Sequence, residues 1–243
     1  MLIVGQSGSG KTTLLMQLLL TPNLLNYDKL YVFARSLHQP EYKCLIEGFK
    51  NKLHKLDILN MLNAGHLIRK KQSSIKELAL GLHLDNDENG IDPSPIEAEF
   101  YSSPDDIPDP SELDKAVRNL MVFDDIMTDK KQTTAENYYT RRRSCNCDSI
   151  YLSQNYTHLP LHTIRAKNAN FMVFVKSSPP VVEQLFRNFA SIDMSISKFK
   201  ALCKEYWASK YGYLVIDLSR DYNDVAGFKY RNNLHLPAVK RLQ

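Results

Sequence analysis

From Gly5 the chain reads Gly5-Gln6-Ser7-Gly8-Ser9-Gly10-Lys11-Thr12-Thr13, a G-x-x-x-x-G-K-T run with a short apolar stretch before it and a leucine-rich one after it. These residue types at this spacing suit a polyphosphate. Glycines let the backbone curl until successive N–H groups point inward as an anion nest, and the start of the following helix adds partial positive charge. Lys11 is placed to reach the β- and γ-phosphates, and the Thr12 hydroxyl to ligate Mg²⁺. The expected ligands are therefore ATP and Mg²⁺, with Gly5 through Thr13 as the binding residues.

A second cluster lies at Val122-Phe123-Asp124-Asp125. Phosphoryl transfer needs one carboxylate in the Mg²⁺ shell and commonly another to orient the attacking water. Asp124 is the expected metal-shell residue and Asp125 the water-activating one. Further on, the apolar run 149–153 ends at Gln154, whose amide can donate to a phosphate oxygen and accept from water, as a γ-phosphate sensor does. Arg141, Arg142 and Arg143 form a basic turn. It reads as a solvated run, a nucleic-acid patch, or the source of an arginine finger for a neighbouring subunit.

These residues need strands to present them and helices to cover the strands. Apolar runs at 2–4, 29–34, 119–126, 149–154, 170–175 and 213–217 read as buried strands, and 41–53, 74–82, 181–189 and 195–206 as helices. Three residues are short for a central first strand, so either the sheet accepts it or natural residues upstream of Met1 are absent. Strands alternating with helices imply an α/β fold with a mainly parallel central sheet flanked by helices, in one ATPase domain over 1–243.

Composition narrows the partners. The net charge of +4 conceals an asymmetry: ten Asp and Glu and no Lys or Arg lie between Asp85 and Glu112. Against the remaining 17 acidic residues stand all 31 basic ones, an excess of 14 that suits a polyanion. With five prolines and no sustained apolar period, 85–112 reads as a surface insertion or flexible loop, and the tail from 228 as a basic extension. No apolar run is long enough to span a membrane, and four cysteines do not form a disulfide framework, so the expected setting is intracellular and reducing. Cys145 and Cys147 lack a second pair at zinc spacing. No Asn-Lys-x-Asp is present for guanine selection.

Taken in order, Gly5 to Thr13, Val122 to Asp125, Tyr139-Thr140-Arg141-Arg142-Arg143-Ser144, Ile150-Tyr151-Leu152-Ser153-Gln154-Asn155-Tyr156 and Thr163-Ile164-Arg165 resemble the poxvirus-type genome-packaging ATPases within the FtsK/HerA superfamily of DNA-pumping motors. The resemblance covers most of the chain apart from the acidic stretch. It implies a RecA/FtsK-like P-loop NTPase fold and an ATP-driven double-stranded DNA translocase that fills a preformed viral capsid. It also implies a homo-oligomeric ring docked to a capsid or portal component, working in the host cytoplasm or virus factory or associated with the virion. Lys11 and Thr12 would then hold phosphate and Mg²⁺, Asp124 and Asp125 would be the metal-shell and catalytic acids, and Gln154 the sensor. The family's arginine turn usually reads Arg-Gly-Arg, which aligns Arg141 and Arg143 with its arginines and puts Arg142 where a glycine is expected. The alternatives are another P-loop ATPase, such as a helicase or virion-assembly motor, and a nucleotide-gated scaffold with little turnover.

Overall fold

The structure, a computed structural model, describes residues 1–68, 74–125, 132–141, 144–156, 169–222 and 229–234. It is an α/β fold with a mainly parallel sheet and flanking helices. The chain divides into two compact units, one of Met1–Lys11 with Ile150–Gln243 and one of Thr12–Ser149.

In the first unit the strands run in the order β5-β1-β6-β7-β8. Strand β1 (Leu2–Val4) is fully buried and lies parallel between β5 (Cys147–Ser153) and β6 (Phe171–Val175), with Val4 level with both Ser153 and Phe174. Its side chains are covered on both faces, which is why three consecutive aliphatic residues suffice where an alternating pattern would not. Strands β7 (Tyr213–Asp217) and β8 (Tyr230–Arg231) continue the sheet antiparallel. Asp217 is wholly buried. Its carboxylate accepts from Arg231 Nη2 at 2.9 Å, pairs with Arg220 Nε at 3.2 Å and also accepts from Ser219.

Helix α7 (Ile196–Tyr206) starts at Ser195, whose hydroxyl accepts from the Lys198 N–H. Helix α6 (Pro179–Leu185) opens with the Pro179-Pro180 pair.

The second unit holds β3-β2-β4 and the first residues of β5. Strand β2 (Lys29–Ala34) lies parallel between β3 (Glu97–Tyr101) and β4 (Asn119–Asp124), and Ala34 is level with Asp124. Helix α1 (Lys11–Leu20) buries six of its last seven side chains, the signature of a helix enclosed nearly all round. Helices α2 (Pro40–Lys50), α3 (Lys55–Ile68), α4 (Ile75–Glu88) and α5 (Gln132–Arg141) complete the unit. Ser74 and Glu77 form a capping box that starts α4.

The acidic stretch differs most from its expected loop character. Its first residues finish α4, and 97–101 form the edge strand β3. Lys29 on β2 faces two of its carboxylates, Glu99 at 2.8 Å and Glu97 at 3.7 Å. Charge pairing and the backbone ladder hold an edge strand that lacks the apolar alternation by which strands are read. After it, two short 3₁₀ turns bury Ile107, Pro110 and Leu113, and Tyr138 of α5 donates to the Pro108 carbonyl at 2.8 Å. The tail differs too. Lys229 pairs with Asp193 at 2.6 Å and Arg231 is buried against Asp217, so two of its cations are spent inside the fold.

Candidate functional site

The glycines of the phosphate loop are required for separate reasons. A Cβ on Gly5 would sit 1.7 Å from Val175 Cγ2, so the loop leaves β1 through a gap that only glycine fits. Gly8 and Gly10 have φ of +73° and +94°, where an L side chain is strained. The turn is held by Gly5 N–H donating to Ser153 at 3.1 Å, and by the Ser9 N–H and hydroxyl donating to the Gln6 carbonyl at 3.3 and 2.6 Å. Gln6, Ser7 and Gly8 stand exposed at its crest. Lys11 is buried, and its ammonium donates to the carbonyls of Gly5 at 2.6 Å and Gln6 at 2.9 Å. That places a positive charge within the curl of the loop, as a phosphate cradle requires. Thr12 is half-buried and Thr13 exposed on the first turn of α1.

In the second unit, β4 ends at Asp124, and Asp125 follows with φ of +61°, a conformation that turns the chain sharply where the strand stops. Both acids are half-buried. Tyr42, fully buried on the first turn of α2, donates its hydroxyl to Asp124 Oδ2 at 2.5 Å. Burial pushes the Tyr42 phenol well above its ordinary range, and the neighbouring carboxylate adds to the effect. The phenol therefore stays protonated and remains a donor. Sequence reasoning missed this residue, because a tyrosine on an amphipathic helix carries no mark of what it touches.

Gln154 stands exposed immediately after β5, past Ser153 whose hydroxyl closes a turn by bonding the Asn155 N–H and carbonyl. Arg141 is the last residue of α5, exposed, with Nη1 3.8 Å from Asp109 of the acidic stretch. Arg142, Arg143 and the Thr163-Ile164-Arg165 motif lie outside the described residues. All four cysteines are free and buried. Among the described residues no three His, Cys, Asp or Glu group as a metal site, and no helix is long and apolar enough to cross a membrane.

A cleft of about 660 Å³ opens beside the phosphate loop within the first unit. Its walls are Gln6 to Ser9, the segment 176–178 after β6, and 207–212 between α7 and β7. These last two segments carried no sequence motif.

Several solved structures resemble this chain, two of them as follows. One is the genome packaging NTPase B204 from Sulfolobus turreted icosahedral virus 2, solved in complex with sulfate, at 12% identity over 90% of each chain and a TM-score of 0.47. The other is VirB4 of Thermoanaerobacter pseudethanolicus, at 10% identity over 90% of this chain and 86% of that one, also with a TM-score of 0.47. No protein-family model and no curated protein matches the sequence.

Proposed function

We propose that the chain is an ATPase that drives double-stranded DNA into a preformed viral capsid as a homo-oligomeric ring. The observation that carries the ATPase reading is the phosphate loop: glycine-only backbone at Gly5, Gly8 and Gly10, curled around the Lys11 ammonium. The DNA-pumping part rests on the ordered motifs and on the excess of 14 basic residues outside the acidic stretch.

The residues fit the groups this activity needs. The exposed crest of the loop at Gln6 to Gly8 and the buried ammonium suit a triphosphate, and the Thr12 hydroxyl with the Asp124 carboxylate is the hard oxygen set that Mg²⁺ takes. Bound Mg²⁺ would neutralise charge developing on the phosphoryl oxygens. Lys11 holds phosphate charge, and Tyr42 fixes the Asp124 carboxylate through its hydrogen bond. Asp125 accepts the proton of the attacking water, and Gln154 serves as the γ-phosphate sensor. Arg141 or Arg143 completes the site of a neighbouring copy with a guanidinium.

Translocation is read by displacement of a third strand from a DNA triplex. ATP-dependent displacement without separation of the duplex strands supports a double-stranded DNA pump. Strand separation would favour a helicase, and indifference to DNA a motor acting on protein. Asp125→Ala should abolish displacement and turnover while sparing ATP binding. A scaffold would keep its function in that variant.

A further inference from the structure

We infer that the cleft beside the phosphate loop receives the nucleoside half of the nucleotide, with the Tyr211 ring as the platform on which the base stacks. The inference rests on the nucleotide-binding reading above and specifies what that reading leaves open, namely which residues hold the base and how selectively. The cleft's 660 Å³ is in the range of small-ligand sites, and one of its walls is the loop itself, from Gln6 to Ser9.

Tyr211 is built into this place at a cost. Its φ is +69°, a strained conformation for a bulky side chain, and such strain persists where surrounding structure imposes it. The segment is tied down on both sides of it. Trp207 Nε1 donates to the Phe174 carbonyl on β6 at 2.8 Å, and the Gly212 N–H closes a turn onto the Ser209 carbonyl at 3.0 Å. Gly212 admits no Cβ, since one would lie 2.3 Å from the Tyr206 carbonyl oxygen. The result sets one edge of the Tyr211 ring against Gly10, where a Cβ would come within 2.7 Å of Cδ1. The Lys210 ammonium lies over the ring, 5.2 Å from its centroid, and the residue as a whole is 53% exposed, which leaves ring surface for a base to stack on and a cation beside it.

An aromatic face at the rim of a phosphate loop, with Lys176 and Lys210 along the same cleft, matches an anionic ligand that carries a flat base. Stacking accepts any base, because each has a π face. Recognition through Tyr211 therefore predicts that ATP and GTP bind within a few-fold of each other.

Trp207, the chain's one tryptophan, lines the cleft and reports on it. ATP should change its emission saturably, whereas inorganic tripolyphosphate, which offers the loop its phosphates without a nucleoside, should leave it nearly unchanged. By calorimetry, Tyr211→Ala should weaken ATP roughly 5- to 100-fold and leave tripolyphosphate unaltered, and Tyr211→Phe should restore ATP binding. Equal weakening of ATP and tripolyphosphate would make Tyr211 a prop for the loop and overturn the inference. Unaltered ATP binding by Tyr211→Ala, with binding lost in Lys11→Ala, would overturn it while sparing the phosphate loop. A wild-type protein that binds neither probe would bring down the nucleotide reading itself.

Discussion

The hydroxyl of Tyr42, on the first turn of α2, donates to Asp124 Oδ2 at the end of β4 across 2.5 Å, joining residues 82 positions apart in sequence. A hydrogen bond to a carboxylate contributes about 1.5–3 kcal/mol, and here it fixes a side chain whose proposed task is to hold the Mg²⁺ shell. Tyr42→Phe keeps the buried ring and removes only the donor. The variant should need several-fold more Mg²⁺ for half-maximal ATP turnover, with nucleotide binding in the absence of Mg²⁺ unchanged. A Mg²⁺ titration identical to wild type would remove Tyr42 from the site.

Gly5 and Gly8 belong to one loop but should fail differently when changed to alanine. At Gly5 the added methyl meets Val175 Cγ2 at 1.7 Å and Ser9 Oγ at 2.8 Å, an overpacking that costs about 1–3 kcal/mol or more and lowers Tm by roughly 2–12 °C. At Gly8 nothing lies within 4 Å of the new atom, and the cost is only that of a positive φ, about 1 kcal/mol. Thermal melts of both variants check the order; a Gly8→Ala protein less stable than Gly5→Ala would contradict it.

Sequence and structure agree most closely where apolar runs are long and chemistry is local. Lys29–Ala34 and Tyr213–Asp217 are strands at the expected bounds, and the glycines of the loop occupy the positions that need them. Periodicity failed at β3, because Glu97 and Glu99 take their support from Lys29, which lies 68 and 70 residues earlier. Helix α3 carries apolar residues without a clean stripe, and β8 is two residues long, set by partners on β7 and at Asp193. Within the candidate site, the place of Asp124 at the end of its strand was legible in the sequence, whereas the contacts of Tyr42 with Asp124 and of Tyr211 with Gly10 exist only in three dimensions. The charge count gave the net excess but not where it lies: Lys229 and Arg231 are held by the internal carboxylates of Asp193 and Asp217, so the basic excess is carried by other residues.

Lys55 gives the fold a pH dependence in the alkaline range. Half-buried beside Arg118, it has an ammonium held down to a pKa of about 8 from 10.5, chiefly by burial, with Arg118 adding to the depression and Asp28 opposing it. Between pH 8 and 10.5 the unfolded chain keeps a proton that the folded chain has released, so this residue's contribution to stability rises with pH across that window. Its Nζ also donates to the Leu25 carbonyl at 2.8 Å and lies 3.8 Å from the Tyr27 ring centroid, contacts that favour the charged form and temper the effect. Denaturant midpoints across pH 7–10.5 should rise more steeply for wild type than for Lys55→Met. Parallel curves would remove Lys55 as the cause.

The proposed activity couples ATP hydrolysis to double-stranded DNA. The most direct test is ATP turnover by the purified protein with and without double-stranded DNA, at low and moderate salt, with Lys11→Ala as the blank. Because the expected DNA contacts are to phosphates, the account predicts that DNA stimulates turnover, that stimulation fades as salt rises, and that turnover vanishes in the variant. Turnover that depends on Lys11 yet is indifferent to DNA at every salt concentration would contradict the claim.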